Sequence, residues 1–278
     1  MKKRLFLVAG YDKNGYVNAA LVYMVRTYSK YGDCVVVMDN DSNESELKKL
    51  KPYCIYVDAT RHGEYDFGSY KRAYQWAKKN LNLSDYDFVY MANDSVYGPL
   101  FDMREYFEKM ESGNNDAFGM VKKTGGKSEH IQSWFIGMRP SVFLSDWFDR
   151  FILSVTKQAD KNAVATIYEN GFTEHIDAHN IKWDCLYHVH NRGVYNDVKK
   201  LYKQKMPFIK KLSFTRHNGA LGNEIYYVLN QLPHDLHDDI YSSACDVYGK
   251  KYTDWLLTKS RTKTFFRYIK YLITRIFR

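Results

Sequence analysis

The sequence predicts an α/β fold, a mostly parallel sheet with helices on both faces, followed by a helical C-terminal extension. Three observations point there. Four short runs rich in Val, Ile, Phe and Tyr recur in the first hundred residues: RLFLVA (4–9), CVVVMD (34–39), CIYVD (54–58) and DFVYMA (87–92). They have strand length and end at Asp, Asn or Gly. Segments of helical periodicity separate them, and strands alternating with helices make a parallel sheet. From about residue 220 the pattern is helical to the end, with turns near Pro233 and Gly249.

The elements follow in order. After the first run and the loop GYDKNG (10–15), Val17, Leu21, Met24, Val25 and Tyr28 recur at helical spacing until Gly32 stops the helix. Residues 68–80 (GSYKRAYQWAKKN) form a second helix by the same test. Next come a strand pair, AFGMV (117–121) and IQSWFIGM (131–138), a helix opened by Pro140 and running through Phe151, and the segment YENGFTEHI (168–176). The expected division is one α/β domain over 1–219 and an extension over 220–278.

At 278 residues and 45% hydrophobic composition the chain has ample material for a core. No stretch approaches the roughly 18 apolar residues of a membrane span. The start, MKKRLFLVAGYDK, has too short an apolar run for a signal peptide and no small-residue cleavage site, so a cytoplasmic protein is expected. Cys34, Cys54, Cys185 and Cys245 form no Cys-x-x-Cys pair, which points to small buried hydrophobes rather than zinc or disulfides.

The net charge of +9 is local. Residues 198–216 hold seven Lys or Arg and 261–278 hold six, both without an acid; setting those thirteen aside leaves 28 basic residues against 32 acidic ones. Two separated basic runs on a mildly acidic body argue against nucleic acid as the partner. The second run is amphipathic. At 100° per residue Phe265, Phe266, Ile269, Leu272, Ile273, Ile276 and Phe277 fall within about 140° of arc. Lys263, Arg267, Lys270 and Arg278 lie opposite, with Arg275 nearer the boundary. Such a helix suits an anionic membrane surface, or packing on the protein body or an oligomer partner.

In parallel α/β sheets ligands sit beyond the carboxyl ends of the strands. Those ends carry GYDKNG with Tyr11, then Asp39 and Asn40, then Asp58 with RHGEYDFG (61–68), then Asn93-Asp94-Ser95. Gly68, with Ser69 and Lys71 in a first helical turn, suits phosphate binding through exposed N–H groups and the positive helix end. Asp94 also fits an Asx-turn ahead of Gly98-Pro99, and Asp66 a helix cap. In HIQSWF, His130, Gln132 and Ser133 lie on a run with one wet face, open to donor or acceptor. His188 and His190 share a strand face without a third ligand in the pattern.

The string GEYDFGSYKRAYQWAKKNLNLSDYDFVYMANDSVYGPLFDM, followed by HIQSWFIGMRPSVF, YENGF and MPFIKK, resembles the rhamnan synthesis protein F family of bacterial glycosyltransferases; GYDKNGYV is similar to its opening loop. The resemblance runs from residue 7 to about 211. It implies a GT-A-like, Rossmann-type fold and a nucleoside diphosphate sugar donor such as dTDP-L-rhamnose or a UDP-sugar. It also implies a lipid-linked or growing cell-surface polysaccharide as acceptor, at the inner face of the cell membrane.

In GT-A enzymes strand-end acids, commonly Asp-x-Asp, hold a divalent metal on the donor diphosphate. Here Ala92 stands at the first acid position and Asp94 alone remains to bind Mn²⁺ or Mg²⁺, with His217 as a late metal ligand. Asp66 resembles the acid near the donor ribose or sugar. The resemblance places a general base for an inverting transfer at Glu169 of YENGF, with Glu174 as second choice. A non-catalytic glycan-binding or scaffold protein is the alternative, and Ala92 is its best support.

Overall fold

The computed structural model describes residues 2–125, 129–258 and 261–276. Phe277 and Arg278 of the amphipathic run lie outside them, as do the side chains of Lys263, Arg275 and Ile276. Two compact units emerge: Met1–Val17, Met24–Asp94 and Arg104–Val189 form the first, and Asn18–Tyr23, Ser95–Met103 and His190–Arg278 the second.

Among the described residues there are ten strands: β1 (Arg4–Gly10), β2 (Asp33–Met38), β3 (Tyr56–Ala59), β4 (Phe88–Asn93), β5 (Val96–Tyr97), β6 (Ala117–Thr124), β7 (His130–Ile131), β8 (Phe135–Met138), β9 (Trp183–His190) and β10 (Ile209–Lys210). Eight of them form the sheet of the first unit, in the order β3-β2-β1-β4-β8-β6-β7, with β9 paired to β6. The expected α/β sheet is thus present. Its first four strands are parallel, with Leu7 of β1 opposite Val35 of β2 and Met91 of β4. Strands β8, β6 and β7 are joined antiparallel.

Both faces of β1 are buried, which is why its sequence does not alternate. Leu5, Leu7 and Ala9 face a core shared with α2 (Tyr65–Asn80), α4 (Asp146–Leu153) and α5 (Gly171–Ala178). Phe6, on the opposite face, stacks on Tyr28 at 5.0 Å and Tyr90 at 5.1 Å and meets Phe107 edge-on at 5.7 Å. Tyr28 comes from α1 (Ala19–Tyr28) and Phe107 from α3 (Arg104–Ser112). Strand β9 was expected only around His188 and His190 and begins earlier, at Trp183. On it His188 and His190 are exposed on one face, with Val189 buried between them.

Two expected elements are broken by hydrogen bonds that periodicity does not register. The run 131–138 is two short strands. Between them Gln132 N–H donates to Val121 O and the Trp134 indole to Gln132 Oε1, while Ile131 N–H is taken by Thr173 Oγ1. The helix expected from Pro140 through Phe151 stops at Phe143 and restarts as α4, because Ser145 caps the new start by accepting Phe148 N–H. All four cysteines are free, and burial drives the Cys34 thiol well above its ordinary pKa.

The second unit pairs β5 with β10 antiparallel, Ile209 opposite Tyr97. Around them pack α6 (Gly222–Leu229), α7 (His234–Tyr248), α8 (Lys250–Leu257) and α9 (Arg261–Ile276). Tyr97, Phe214, Leu221, Ile225, Val228, Ile240 and Leu256 lie in their core. The extension expected from residue 220 is the larger part of this unit, which also takes in residues 190–219. On helix α9 Arg267, expected on the basic face opposite the apolar one, is 4% exposed.

Candidate functional site

At the carboxyl ends of β1, β2 and β4 the chain makes three loops whose polar side chains mostly hold one another. Asp12 is buried and its Oδ1 accepts the N–H groups of Asn14 (2.8 Å) and Tyr16 (3.1 Å), leaving Tyr11 exposed at the loop tip. Asn40 donates to Asp12 O and accepts both Ser42 N–H and Ser42 Oγ–H. With no exposed surface, Asn40 frames the loop and offers no contact to a donor, contrary to expectation. Asp39 Oδ1 accepts the backbone N–H groups of His62 and Gly63, both at 2.9 Å, which ties the loop after β3 to the end of β2.

The phosphate site expected at Gly68, Ser69 and Lys71 is not formed. Helix α2 starts three residues earlier, entered through Tyr65 in the left-handed region (φ 58°), so Gly68 N–H already bonds Glu64 O. A Cβ on Gly68 would lie 2.3 Å from Glu64 Cβ and 2.7 Å from the His62 ring. The glycine is therefore there to let the ring in. Ser69 is buried with its hydroxyl 3.0 Å from His62 Nε2, and Lys71 Nζ is committed to Val155 O (2.6 Å) and Glu64 (2.8 Å).

His62 thus has a defined state. Its Nδ1 accepts Glu64 N–H at 3.1 Å, which leaves the proton on Nε2 facing Ser69 Oγ. Asp39 Oδ2 stands 3.5 Å from that same Nδ1 and favours a charged ring, but burial outweighs it and holds the His62 pKa below its ordinary value.

One group of predicted residues does come together. Asn93, at the end of β4, donates to Asp66 Oδ2 at 2.9 Å. Ser133 N–H donates to Glu169 Oε1 at 3.2 Å, and Ser133 O accepts the Tyr70 hydroxyl at 3.1 Å. Tyr70 sits between the two pairs. Burial drives its hydroxyl well above the ordinary tyrosine value and the carboxylates of Asp66 and Glu169 push the same way, while a hydrogen bond with Asn93 opposes them. Glu169 lies on a π-helical turn (Ala165–Asn170) that runs into α5, half-buried and held by the backbone of the loop between β7 and β8. Such wide turns recur at functional sites. Glu174 does not join it: on α5 Thr173 turns inward to Ile131 N–H, and Glu174 is exposed.

His130 and Gln132 are buried, and Gln132 Oε1 is occupied by the Trp134 indole, whereas Ser133 reaches this cluster through its N–H, 3.2 Å from Glu169 Oε1. Asp94 is 7% exposed and its N–H donates to Ala9 O. Ala92 is fully buried in β4. A divalent ion at Asp94 would draw its remaining ligands from donor phosphates and water. Among the described residues no group of three or more His, Cys, Asp or Glu is arranged to hold a metal.

In the second unit Ser95 Oγ accepts Lys210 Nζ at 2.7 Å, and Lys210 lies 5.8 Å from the Tyr195 ring centroid. The Arg216 guanidinium approaches the same ring at 5.8 Å, and its Nε donates to Asn196 Oδ1 at 2.9 Å. His217 Nε2 is 3.2 Å from that oxygen. His217 and Asn218 both lie in the left-handed region, at φ 51° and 54°. Sequence reasoning missed Tyr70, His62 and Lys210. Tyr70 was within reach of it, four residues and one helical turn after Asp66; Glu64 and Ser69 are near neighbours of His62, but its partner Asp39 is 23 residues away, and Ser95, the partner of Lys210, is 115 residues away.

The family model for rhamnan synthesis protein F matches residues 34–267. No curated protein matches the sequence. Solved structures similar to it include one from Desulfovibrio desulfuricans G20 described as a nucleotide-diphospho-sugar transferase, with 17% identity and TM-score 0.39 over 83% of this chain and 98% of that one. S. aureus TarS 1–349 shows 11% identity and TM-score 0.37 over 99% of this chain and 73% of that one. The glycosyltransferase GlyE of Streptococcus pneumoniae TIGR4 shows 12% identity and TM-score 0.42 over 73% of this chain and 49% of that one. Likeness at this level carries no argument for activity.

Proposed function

The chain belongs to the rhamnan synthesis protein F family, and from that premise we propose that it is an inverting nucleotide-sugar glycosyltransferase. In this reading a hexose, L-rhamnose or another, passes from a dTDP- or UDP-linked donor to a lipid-linked or growing surface polysaccharide. The observation that supports it is the Asp66–Asn93, Tyr70 and Ser133–Glu169 cluster beside the carboxyl end of β4, where α/β sheets bind ligands.

Glu169 takes the acceptor hydroxyl proton as that oxygen attacks the anomeric carbon. The bond from that carbon to the diphosphate breaks on the opposite face, which inverts the centre and releases the nucleoside diphosphate. Glu169 keeps one carboxylate oxygen on Ser133 N–H, which fixes its direction, so the other is the one to receive the proton. Asp66 and Asn93 hold the donor sugar or ribose. The departing diphosphate needs positive charge. Asp94 would hold Mn²⁺ or Mg²⁺, and the ion would supply that charge.

Release of nucleoside diphosphate from a panel of dTDP-, UDP- and GDP-sugars, with a synthetic acceptor and with or without Mn²⁺, tests the reading. Glu169→Gln is expected to lower turnover by on the order of 10²–10⁴-fold with the donor still bound. Near wild-type turnover in both Glu169→Gln and Asp94→Ala would sink it. The buried methyl of Ala92 where an acid is common favours a second reading, a glycan-binding or scaffold protein. Tight glycan binding with no turnover of any donor would establish that one. The lipid-linked acceptor calls for attachment to the inner face of the membrane, assigned to residues 261–276.

A further inference from the structure

Helix α9 is docked inside out. Its one deeply buried side chain among those described is a cation: Arg267 donates to Leu256 O at 2.6 Å and to Trp255 O, and its guanidinium lies 4.4 Å from the Trp255 ring centroid. The two carbonyls belong to the last turn of α8, where the helix end is negative and lacks intrahelical donors. Room for the guanidinium is made by Gly222, whose Cβ would fall 2.6 Å from Arg267 Nη1 and 2.5 Å from Leu256 O. This is a built socket. The apolar side chains point away from it: Phe265 is 59% exposed, Phe266 67%, Ile273 49%, and Ile269 and Leu272 38% each.

We propose that Arg267 latches α9 to the body so that Phe265, Phe266, Ile269, Leu272 and Ile273 form a ridge that enters the headgroup layer of an anionic bilayer. This rests on the membrane attachment proposed above and names the surface and its orientation. At 16 residues α9 is about 24 Å long, too short and too basic to span, and no described helix is long and apolar enough to cross a membrane. An amphipathic helix of this kind lies in the interface plane instead. Beside the ridge, Lys270 lines a groove of about 620 Å³ with Thr215, Asn218, Tyr252 and Trp255. A cation with Tyr and Trp at the edge of an apolar ridge suits a lipid phosphate at headgroup depth.

A second copy of the chain fits less well. The five side chains offer roughly 500 Å², short of the ~800 Å² per partner of a stable dimer. Residues 261–278 hold six basic side chains and no acid, so apposing two copies sets like charges together, whereas an anionic surface attracts both ridge and flanks.

Flotation of the full-length protein with phosphatidylcholine vesicles, with and without phosphatidylglycerol, tests this alongside donor turnover on a water-soluble acceptor. The protein should float with the phosphatidylglycerol vesicles. The double substitution Phe266→Glu and Ile269→Glu should weaken that binding at least about tenfold, with the circular dichroism spectrum and soluble-acceptor turnover unchanged. A wild-type protein that stays unbound, a variant that floats like wild type, or a solution dimer split by the same variant would each overturn the proposal. Ridge-dependent flotation without turnover of any donor would leave the surface standing and sink the transferase reading.

Discussion

Helices α2 and α9 are both amphipathic, both 16 residues long, and packed in opposite senses. Helix α2 turns Phe67, Tyr70, Ala73, Tyr74 and Ala77 into the core of its unit and leaves Lys78 and Lys79 toward solvent at its carboxyl end. Helix α9 turns Arg267 in and its phenylalanines out. Periodicity reports that a helix has two faces. Which face is covered depends on what the neighbours offer: to α2, a sheet of apolar side chains; to α9, two helix-end carbonyls and an indole ring.

The comparison breaks if the aromatic side chains of the two helices carry equal weight. Phe67 is 2% exposed and packs on Tyr70 at 5.6 Å, Tyr168 at 5.7 Å and Phe151 at 6.2 Å. Phe67→Ala is expected to cost about 3–5 kcal/mol in urea unfolding. Phe265→Ala, made on a side chain that is mostly in water already, should stay within about 0.5 kcal/mol. A large loss from Phe265→Ala would mean that the apolar face of α9 is covered in solution, and the inside-out arrangement would fall.

The latch is the next largest effect. Arg267→Met keeps length and removes the donors from Trp255 O and Leu256 O, at a cost of about 1–3 kcal/mol to the docking of α9. Amide hydrogen exchange over residues 261–276 should speed up accordingly while the sheet of the first unit keeps its protection. Unchanged exchange in α9 would show that something other than Arg267 holds it. Gly222→Ala, which sets a methyl group against the same guanidinium, should reproduce the effect.

Much of this was legible in the sequence, and the failures share a cause. Of the four parallel strands, β1, β2 and β4 are buried on both faces and leave continuous apolar runs, which need no partner to be recognised, while the half-buried β3 was found by its Ile, Val and Tyr content. Asn93 was singled out because it ends a strand, Ser133 because it lies on an alternating run, and Asp66 and Glu169 because of the family resemblance. That Asn93 meets Asp66 and Ser133 meets Glu169 was not legible, since those pairs are 27 and 36 residues apart. The phosphate site at Gly68 failed through a boundary error of three residues, enough to turn exposed N–H groups into bonded ones. Arg267 failed in another way. Its position on the helical wheel was correct, and only the socket of Gly222, Trp255 and Leu256 shows that the polar face is the covered one.

The smallest effect sharpens the comparison through charge. Each helix has a buried basic side chain at its root, His62 against Gly68 of α2 and Arg267 beneath α9, and they answer acid differently. Burial lowers both pKa values, but an arginine so lowered stays charged at every pH the fold survives. His62 is neutral, with Nδ1 accepting from Glu64 N–H. Its folded pKa lies below the ordinary 6.5, so between the two values the unfolded chain binds more protons and stability falls as pH falls. The contribution is fully present above pH 6.5, drops by at most about 1.4 kcal/mol per pH unit below it, and levels off beneath the folded value. Urea midpoints across that window should decline in the wild type and less steeply in His62→Gln, while Arg267→Met shifts every midpoint without changing the slope. A parallel decline in wild type and His62→Gln would place the acid-sensitive group elsewhere and leave the root of α2 indifferent to pH, as that of α9 is expected to be.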